Sequence, residues 1–568
     1  MSTTISVNKQ NVKQFLESGK EKLFVIPEYQ RPYAWTIEQV ETLFEDLWEF
    51  ASTTGGCERN GTYFLGSIVS YENENNEQEI IDGQQRITSL FLLLRAIYTK
   101  LQKDDTNNDY VKHFMAEIEP VIWKTDNATG KADYKKILLE SRVINNEGNN
   151  ILKDILETGK SISDAKDNYS KNYKIFQEMF DEYSEKYPLS IYDFIYTVLN
   201  QAIVLPIKAD NQDTALTIFS TLNDRGLALS DSDIFKAKIY NNNKDSDKKK
   251  QFINKWKDLD ERAKDVNESI QQLFYYYMFF IRANEKDSQT TTPGLRKYYS
   301  WNKFSRLYDE NLMDNLKEIL NVWAVINKRE IIESEKWSKN NEILQALDIL
   351  SSYPNEFWKY PIVIYYLTHK FKDGFEEKFL IFIRKLISVL LIKYLIKPTI
   401  NAVKSEILQL NVSITESPTP KFNFKKDDIS GLKENFKVPS RYIVQMVLKI
   451  LSYNKQENLL PEKWEIEHIL PRKNANSYFL NVKKDIIKEK IEHIGNKLPF
   501  EKKLNIQAGN GYFRKKKEKY SESKIVITNQ MRHSNKSEWK LKDIDKRDNE
   551  IFSEICNTLD KWDKEYKF

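Results

Sequence analysis

The sequence predicts an α+β protein that is mostly helical and divided into several domains. At 568 residues, the chain is longer than one hydrophobic core usually serves. Short β-branched runs occur towards its two ends, whereas apolar residues at helical spacing fill the middle. Apolar residues make up 40% of the chain, which excludes wholesale disorder. We therefore expect three domains, at 1–240, 241–435 and 436–568.

The first domain alternates strand-length apolar runs with helical segments. The strand candidates are 23–26, 64–69, 79–81 and 203–207. Each run is rich in β-branched residues and bounded by Gly, Pro or Asn, which favour turns. This pattern is typical of a mixed α/β domain.

The middle domain is predicted to be entirely helical. Apolar residues recur at helical spacing in 269–281, 315–326, 341–350 and 376–396. We expect the many Tyr and Phe side chains of these segments to form a core, and no motif in them indicates chemistry. The polar segment 417–433, with two prolines and mixed charge, is the predicted linker to the third domain.

Cysteine content and hydropathy indicate the cellular compartment. Cys57 and Cys556 form no CxxC pair and no Cys/His cluster, so we expect neither a disulfide framework nor a structural zinc. No basic segment leads into an apolar run at the start of the sequence. The most apolar stretch contains Arg384, Lys385 and Lys393. We expect a cytoplasmic protein without a membrane span.

The net charge of +4 conceals an uneven distribution. Residues 471–540 contain 18 Lys plus Arg against 7 Asp plus Glu. The densest run is Arg514, Lys515, Lys516 and Lys517. Such a concentration predicts a surface that neutralises DNA phosphates. A solvated helix face without a partner is the alternative interpretation.

The third domain contains a carboxylate and an imidazole side by side. An apolar strand at 464–468 ends in Glu467 and His468, followed by Ile-Leu-Pro. A carboxylate can hold a hard cation such as Mg²⁺, and a neutral His can take a proton from an attacking water. Asn496 lies in an Ile-Gly-Asn turn, and Asn505 follows nine residues later. For the Glu-His pair alone, a structural strand-end histidine is the alternative.

A second group of candidate residues is Asp82-Gly83-Gln84-Gln85-Arg86. The sequence predicts a strand, a tight glycine turn and the start of an apolar helix here. Free backbone N–H groups at a helix start, with the Gln amides and the Arg guanidinium, can bind an anion such as a nucleotide phosphate. The spacing and the Lys-Ser/Thr pair of a P-loop are absent. A capped structural turn is the alternative.

Three further segments support this site, one of which is the strand candidate 64–69. In 26–35, Gln30 and Arg31 lie among three aromatic residues between two prolines. In 219–230, Asn223 and Arg225 precede a glycine, and Ser230 is predicted to cap the next helix. The aromatic residues Tyr29, Tyr33 and Trp35 form either a cage for a flipped base or a packed cluster, and both interpretations stay open.

These motifs together resemble one protein family. Ile-Pro-x-Tyr-Gln-Arg-Pro-Tyr-x-Trp, Phe-Leu-Gly-Ser-Ile, Asp-Gly-Gln-Gln-Arg and Asn-x-Arg-Gly look like the ParB-like nucleotide-binding domain of GmrSD-type (type IV) modification-dependent restriction endonucleases. Glu-His-Ile-Leu-Pro and Ile-Gly-Asn are similar to the HNH (ββα-metal) nuclease domain of the same proteins. The helical middle matches no motif. The same pairing occurs in phage-defence nickases that sense phosphorothioate DNA, so the DNA mark stays open.

The resemblance implies a nucleotide-regulated DNA endonuclease of anti-phage defence. Its cofactors are Mg²⁺, or another divalent cation, and a nucleoside triphosphate that the first domain binds and hydrolyses. Matching the motifs assigns the nucleotide to Asp82, Gly83, Gln84, Gln85 and Arg86, with Gln30 and Arg31 in support.

In the HNH motif, the resemblance makes His468 the general base and has Asn496 orient its ring. Glu467 and Asn505 are the implied metal ligands, and the run from Arg514 to Lys517 contacts DNA. One departure is that many relatives have Ile-Gly-Asn-Leu-Thr-Leu, whereas Lys and Pro interrupt that strand here.

The expected partners are double-stranded DNA carrying a modification and a nucleoside triphosphate. A membrane is not expected, and a homodimer is left open. The alternative function is a nucleotide-responsive DNA-binding or adaptor protein whose HNH domain is inactive.

Overall fold

The computed structural model describes residues 6–57, 60–103, 108–126, 128–143, 146–161, 167–188, 190–222, 230–424, 431–472, 479 and 482–566. The chain divides into two compact units, an N-terminal unit at 1–253 and a C-terminal unit at 254–568. Both contain helices and strands, and helices predominate. The predicted α+β, mostly helical class is therefore confirmed, while the ParB-like and HNH assignments stay predictions.

The described part of the N-terminal unit contains nine strands and the first helices. The strands are β1 (Ser6–Val7), β2 (Gln10–Asn11), β3 (Phe24–Ile26), β4 (Tyr63–Glu72), β5 (Gln78–Asp82), β6 (Trp123–Thr125), β7 (Ala132–Ile137), β8 (Leu139–Ser141) and β9 (Ala202–Ala209). The helices are α1 (Val12–Glu17), α2 (Ile37–Thr53), α3 (Gln84–Leu101), α4 (Asp109–Ile122), α5 (Asn146–Thr158), α6 (Asn168–Lys186), α7 (Ile191–Tyr196), α8 (Gln212–Leu222), α9 (Asp231–Asn242) and α10 (Ser246–Asp265), the last of which contains the boundary.

A mixed sheet forms the centre of this unit. Its strand order is β1-β9-β4-β5-β3-β8, with β2 also paired to β9. Strand β4 runs parallel to β9 and antiparallel to β5, and β3 is parallel to β5 and β8. Nearly every residue of α3 is buried, and its apolar residues from Ile87 to Leu101 belong to the core of the unit. The motif at the start of α3 is thereby attached to the core.

Glycine permits the connection between β5 and α3. Gly83 has φ +85°, the left-handed region, and a Cβ there would lie 2.9 Å from Ile68 Cγ1 on β4. Only a residue without a side chain fits both conditions. The predicted strand, turn and helix are all present.

Among its described residues, the C-terminal unit is helical apart from one antiparallel strand pair, here called the hairpin. Its helices are α11 (Ile270–Asn284), α12 (Leu295–Tyr299), α13 (Trp301–Phe304), α14 (Leu312–Lys328), α15 (Asn341–Leu350), α16 (Lys359–His369), α17 (Phe375–Ile396), α18 (Lys404–Glu416), α19 (Leu432–Lys437), α20 (Arg441–Tyr453), α21 (Lys484–Ile491), α22 (Lys502–Ala508), α23 (Phe513–Tyr520), α24 (Val526–Asn529) and α25 (Leu541–Glu565). The hairpin strands are β10 (Trp464–His468) and β11 (Lys497–Glu501).

The helical middle and the predicted third domain lie in this one compact unit. For example, the Lys449 ammonium on α20 donates to Asp348 O at the end of α15, 2.6 Å away. The Arg384 guanidinium on α17 donates to Glu342 on α15 and to Glu565 on α25. The structure divides into two compact units, and the division into three domains remains a prediction.

Most predicted elements are present close to their expected bounds. The strand candidates correspond to β3, β4, β5 and β9, and the four middle segments to α11, α14, α15 and α17. Ser230 caps α9 as predicted, since its hydroxyl accepts from Asp233 N. The candidates Asn223 and Arg225 lie outside the described residues, as does part of the predicted linker.

Within the described ranges, no helix combines the length and apolar character needed to cross a bilayer.

Replacing Gly83 by alanine should lower the free energy of unfolding of the N-terminal unit by about 2–3 kcal/mol, because a strained φ and a steric clash add together. Denaturant unfolding of the full chain measures the change. The matched control is Gly130→Ala, which has φ +69° and no atom within 4 Å of the new Cβ. Equal losses in the two variants would contradict the clash with β4.

Candidate functional site

The β10–β11 hairpin carries the Glu-His pair. The strands are antiparallel, with His468 opposite Lys497 and Glu467 opposite Leu498. Ile469 and Leu470, just after the pair, are buried in a core that includes Phe513 and Tyr520 of α23. The apolar residues on both sides of the pair therefore fix the strand end between β11 and α23.

His468 is largely enclosed, with 14% of its side chain exposed. Its Nε2 lies 3.6 Å from Glu492 Oε2 and has no hydrogen bond among the described residues. Burial, with the nearby charge of Arg472, lowers the pKa of His468 to about 4, against the opposing effect of Glu492. The imidazole is thus neutral at physiological pH and can accept a proton.

Glu492 is the carboxylate that faces the imidazole. Burial raises the pKa of Glu492, but hydrogen bonds from Arg472 and the charge of Lys497 outweigh this and hold the pKa at about 2. The Arg472 guanidinium donates to both carboxylate oxygens, at 2.8 and 3.1 Å. Glu492 is therefore a stable anion beside the ring.

Glu467 lies on the other side of the strand and is 4% exposed. Its Oε1 accepts from the Lys516 ammonium at 2.7 Å and from the Tyr520 hydroxyl at 2.8 Å. The same ammonium donates to His468 O at 2.6 Å. Burial lowers the pKa of Lys516, and the Glu467 charge opposes this. The carboxylate is the centre of a buried ion pair that joins β10 to α23.

Asn505 on α22 contacts a different carboxylate. Its Nδ2 donates to Glu465 Oε2 at 3.1 Å, in a partly buried contact. The described contacts therefore do not bring Glu467 and Asn505 to one point. A dication at Glu467 would also meet the Lys516 ammonium. As arranged here, the predicted ligands do not fit a shared Mg²⁺ site.

Asn496 is fully buried and bonded to backbone. Its Oδ1 accepts from Leu470 N at 2.7 Å, and its Nδ2 donates to Leu470 O and Ile491 O at 3.0 Å. The expected hydrogen bond to the His468 ring is replaced by these contacts. Asn496 instead fixes the backbone that follows His468.

The basic run divides into exposed and structural side chains. Arg514 and Lys515 are exposed on α23, whereas Lys516 is buried. The Lys517 ammonium donates to Ser534 O at 2.9 Å and to Lys536 O at 3.0 Å. Two of the predicted DNA contacts are thus engaged within the protein, and two face solvent.

Another group, outside the predicted residues, has the spacing of a metal site. One ligand atom each of His493, Asp545 and Asp548 lies within 4.8 Å of the others. However, Asp548 already accepts from Gly495 N at 2.7 Å and lies 2.6 Å from His493 Nδ1. Asp545 pairs with Lys490. These carboxylates are engaged in protein contacts, which explains their proximity without an ion.

In the N-terminal unit, two glutamine amides connect the 26–35 loop to the Asp82–Arg86 turn. Gln85 Oε1 accepts from Ala34 N at 2.6 Å, and its Nε2 donates to Pro32 O at 3.2 Å. Gln30 Nε2 donates to Ile81 O at 3.0 Å. Both side chains are buried. These predicted nucleotide ligands hold the two motifs together.

Other polar groups of the turn are less engaged. The buried oxygens Gln30 Oε1 and Gln84 Oε1 have no hydrogen-bond partner in the described part of the chain. Burial raises the pKa of Asp82, although the Gly83 N–H and the charges of Arg86 and Arg31 act against it. The turn therefore places two cations near one carboxylate, together with two buried oxygens that have no partner among the described residues.

Arg86 lies at a surface cleft. Its Nη1 donates to Ser67 O at 2.8 Å, and Gly66, with φ +114°, leaves room for the guanidinium. The cleft measures about 400 Å³, and Arg86, Trp35 and Phe64 are among its lining residues. Phe64 is 59% exposed. The cleft thus contains a half-buried cation, the exposed ring of Phe64 and the partly buried ring of Trp35.

Two aromatic residues of the loop are core residues. Tyr29 is 4% and Tyr33 7% exposed, and the Tyr33 hydroxyl bonds to Ser89 at 2.6 Å. A packed cluster therefore describes these two, whereas Trp35 reaches the cleft.

Comparison with known proteins identifies the family of the chain. Residues 12–240 match the sequence model for the N-terminal domain of GmrSD restriction endonucleases, and residues 421–554 match that for their C-terminal domain. The chain therefore has the GmrSD-type architecture and belongs to that family.

The chain is also 23% identical over 254 residues to an uncharacterized protein of Methanocaldococcus jannaschii. This similarity covers 42% of the chain and 42% of that protein.

Sequence reasoning missed three groups that shape the site: Glu492 beside the imidazole, Tyr520 on Glu467, and Asp548 on the Ile-Gly-Asn turn. Glu492 and Asp548 lie in amphipathic stretches whose charged residues normally face solvent. The spacing from Lys516 to Tyr520, one helical turn, indicates a common helix face. That spacing was the signal available for Tyr520.

Replacing Lys516 by methionine should cost about 3–5 kcal/mol of unfolding free energy, because it leaves the Glu467 charge buried without its cation. Denaturant unfolding measures this. The matched control Lys515→Met removes an exposed lysine and should stay within about 0.5 kcal/mol of wild type. The double variant Glu467→Leu with Lys516→Met should recover most of the loss. Equal, small effects of both single substitutions would argue against the buried pair.

Proposed function

We propose that the protein is a nucleotide-regulated, divalent-cation-dependent DNA endonuclease of anti-phage defence that acts on modified or foreign DNA in the cytoplasm. The observation that carries the proposal is a neutral, enclosed imidazole, His468, at the end of a strand within the region that matches the family's C-terminal domain. The homodimer stays a prediction.

His468 is the proposed general base. Its low pKa keeps the ring unprotonated, and its Nε2 is not engaged by a hydrogen bond within the described residues. Nε2 is buried in this structure, so a local movement must first admit a water, which can then give up a proton to Nε2 as it attacks a phosphodiester. The anion of Glu492, 3.6 Å away, would stabilise the imidazolium that results.

The family suggests a divalent cation, which when bound would stabilise the charge that develops on the phosphate. Glu467 and Asn505 remain the predicted ligands, although their present contacts do not form one set. The contribution of the protein's own residues to the reaction is the proton transfer at His468 Nε2.

Arg514 and Lys515 are the proposed DNA contacts. Both are exposed on α23, the helix whose Lys516 and Tyr520 bind Glu467 behind the imidazole. Phosphate neutralisation by such cations is independent of sequence and weakens with salt. In this proposal, Lys516 and Lys517 make hydrogen bonds within the protein and do not contact DNA.

The cleft at Arg86 is the proposed nucleotide site. Its guanidinium suits a phosphate, and the exposed Phe64 ring and Trp35 suit stacking on a base. The oxygens of Gln30 and Gln84 have no partner among the described residues, but they are buried, so a hydroxyl or amino donor would reach them only after a local rearrangement. Asp82 and Gly83 shape the turn, Gln85 fixes its loop, and Arg31 adds positive charge. Hydrolysis of the triphosphate and its control of cleavage belong to the same proposal.

The His468→Ala variant should lose at least about 10²-fold in its rate of plasmid nicking, because no other group replaces the base. Nicking is followed with Mg²⁺ or Mn²⁺ on unmodified, glucosylated-hydroxymethylcytosine and phosphorothioate plasmids, with and without nucleotide. His533→Ala, which removes an exposed histidine of the same unit, should cut like wild type. Chelation of the metal should stop cutting. Normal cutting by a folded His468→Ala protein would refute the assignment.

The second candidate function is a nucleotide-responsive DNA-binding or adaptor protein with an inactive nuclease domain. The Glu467–Lys516 ion pair favours it, since the ammonium occupies the carboxylate expected to bind metal. The same nicking assay decides. Metal-dependent nicking by wild type excludes this candidate, and DNA binding without nicking on every plasmid supports it.

Nucleotide binding should depend on the Arg86 cleft. In isothermal titration with each triphosphate, Phe64→Ala and Arg86→Ala should each weaken binding about tenfold or more, because stacking and a charge-assisted hydrogen bond are lost. Tyr110→Ala, which removes another exposed ring of this unit, should bind like wild type. Absence of binding by wild type would remove the proposed site.

A further inference from the structure

Helix α25 makes several hydrogen bonds to the turn that leads into β11, here called the glycine turn (residues 493–497). Asp548 accepts from Gly495 N at 2.7 Å through Oδ1, and its Oδ2 lies 2.6 Å from His493 Nδ1. The neighbouring Arg547 Nη1 donates to Gly495 O and Lys497 O, each at 2.8 Å. Two adjacent residues of the helix thus engage side chain and backbone groups along the whole turn.

The glycine turn lies directly against the helix backbone. A Cβ on Gly495 would be 2.3 Å from Ile544 O and 2.9 Å from Asp548 N. Only glycine permits this approach, because any side chain would push α25 away. Asp548 and His493 are 3% and 2% exposed, so their interaction is shielded from water.

The glycine turn in turn holds the backbone after His468. Asn496 O accepts from Ile469 N at 2.9 Å, and Asn496 Oδ1 accepts from Leu470 N at 2.7 Å. These are the two residues that directly follow the proposed base. An unbroken series of short polar contacts therefore runs from α25 through the glycine turn to the end of β10.

We propose that Asp548 and Arg547 are positioning residues for His468, so that α25 is part of the nuclease machinery. By fixing the glycine turn, they fix the backbone on which the imidazole is mounted. A displacement of about 1 Å in such a group can cost roughly 10²-fold in rate. This inference rests on the proposed nuclease function, yet its structural part can be measured separately.

The test compares Asp548→Ala with Asp548→Asn and with the control Lys546→Ala in the full-length protein. Alanine removes both contacts of the carboxylate. Asparagine keeps an oxygen for Gly495 N and can donate to a neutral His493. Lys546 lies on the exposed side of α25, with 73% of its side chain exposed. Nicking gives kcat and KM, and hydrogen exchange reports on the amides of Ile469 and Leu470.

Asp548→Ala should lower kcat roughly 10²-fold with KM for DNA unchanged, and should speed exchange at 469 and 470. Asp548→Asn should keep most of the wild-type kcat and most of the slow exchange at 469 and 470. Lys546→Ala should match wild type in both measurements. If Asp548→Ala does not fold, Arg547→Lys replaces it as the test variant, because lysine keeps the charge but not the planar guanidinium. We expect the same results for it: a lower kcat, an unchanged KM for DNA and faster exchange at 469 and 470.

Unchanged exchange at 469 and 470 in the folded Asp548→Ala protein would overturn the proposal, as would a loss that appears in KM alone. If wild type does not nick DNA, the proposed function fails, but the exchange measurement still decides whether α25 holds the strand end. The two failures are therefore distinguishable.

Discussion

The buried contact of Glu467 with Lys516 and Tyr520 is the constraint on which the rest of the C-terminal site depends. It joins a short strand to a short helix, next to the apolar core to which Phe513 and Tyr520 of the same helix belong. A carboxylate and an ammonium removed from water are stable only while each keeps the other, so the strand end and α23 must move together. Because Lys516 also binds His468 O, the backbone of the proposed base is held by the same cation.

In the N-terminal unit, uncharged glutamine amides hold two segments of the chain together. The Gln85 and Gln30 amides donate to or accept from backbone groups across the loop and the turn. A carboxamide can do this because it carries a donor and an acceptor on one rigid plane. Arg86 lies at the cleft, whereas the Gln30 and Gln84 oxygens without a hydrogen-bond partner among the described residues are buried. In both units, some residues of each motif hold the backbone in place, and others are the ones proposed to bind a ligand or to take part in the reaction.

The strands and helices that the sequence predicted rest on local patterns, and these patterns were sufficient for them. Alternating and helical apolar spacing gives β4, β9 and α15 because burial of one face is decided within a few residues. The roles of individual polar residues were harder to predict. Lys516 looked like a DNA contact and Glu467 like a metal ligand, because one sequence does not reveal that the two meet across 49 positions. The same applies to Asn496, whose partners depend on how the hairpin closes.

Gly66 and Arg86 are separated along the chain, yet the guanidinium occupies the space that a side chain at position 66 would need. A side chain at residue 66 would also be strained by φ +114°, so a smaller residue 86 would not by itself make a larger residue 66 tolerable. The dependence therefore runs one way: the arginine needs the glycine, whereas the glycine is also required by its own backbone. Among related sequences, an arginine at position 86 should occur only where position 66 is glycine, while the glycine can persist without the arginine.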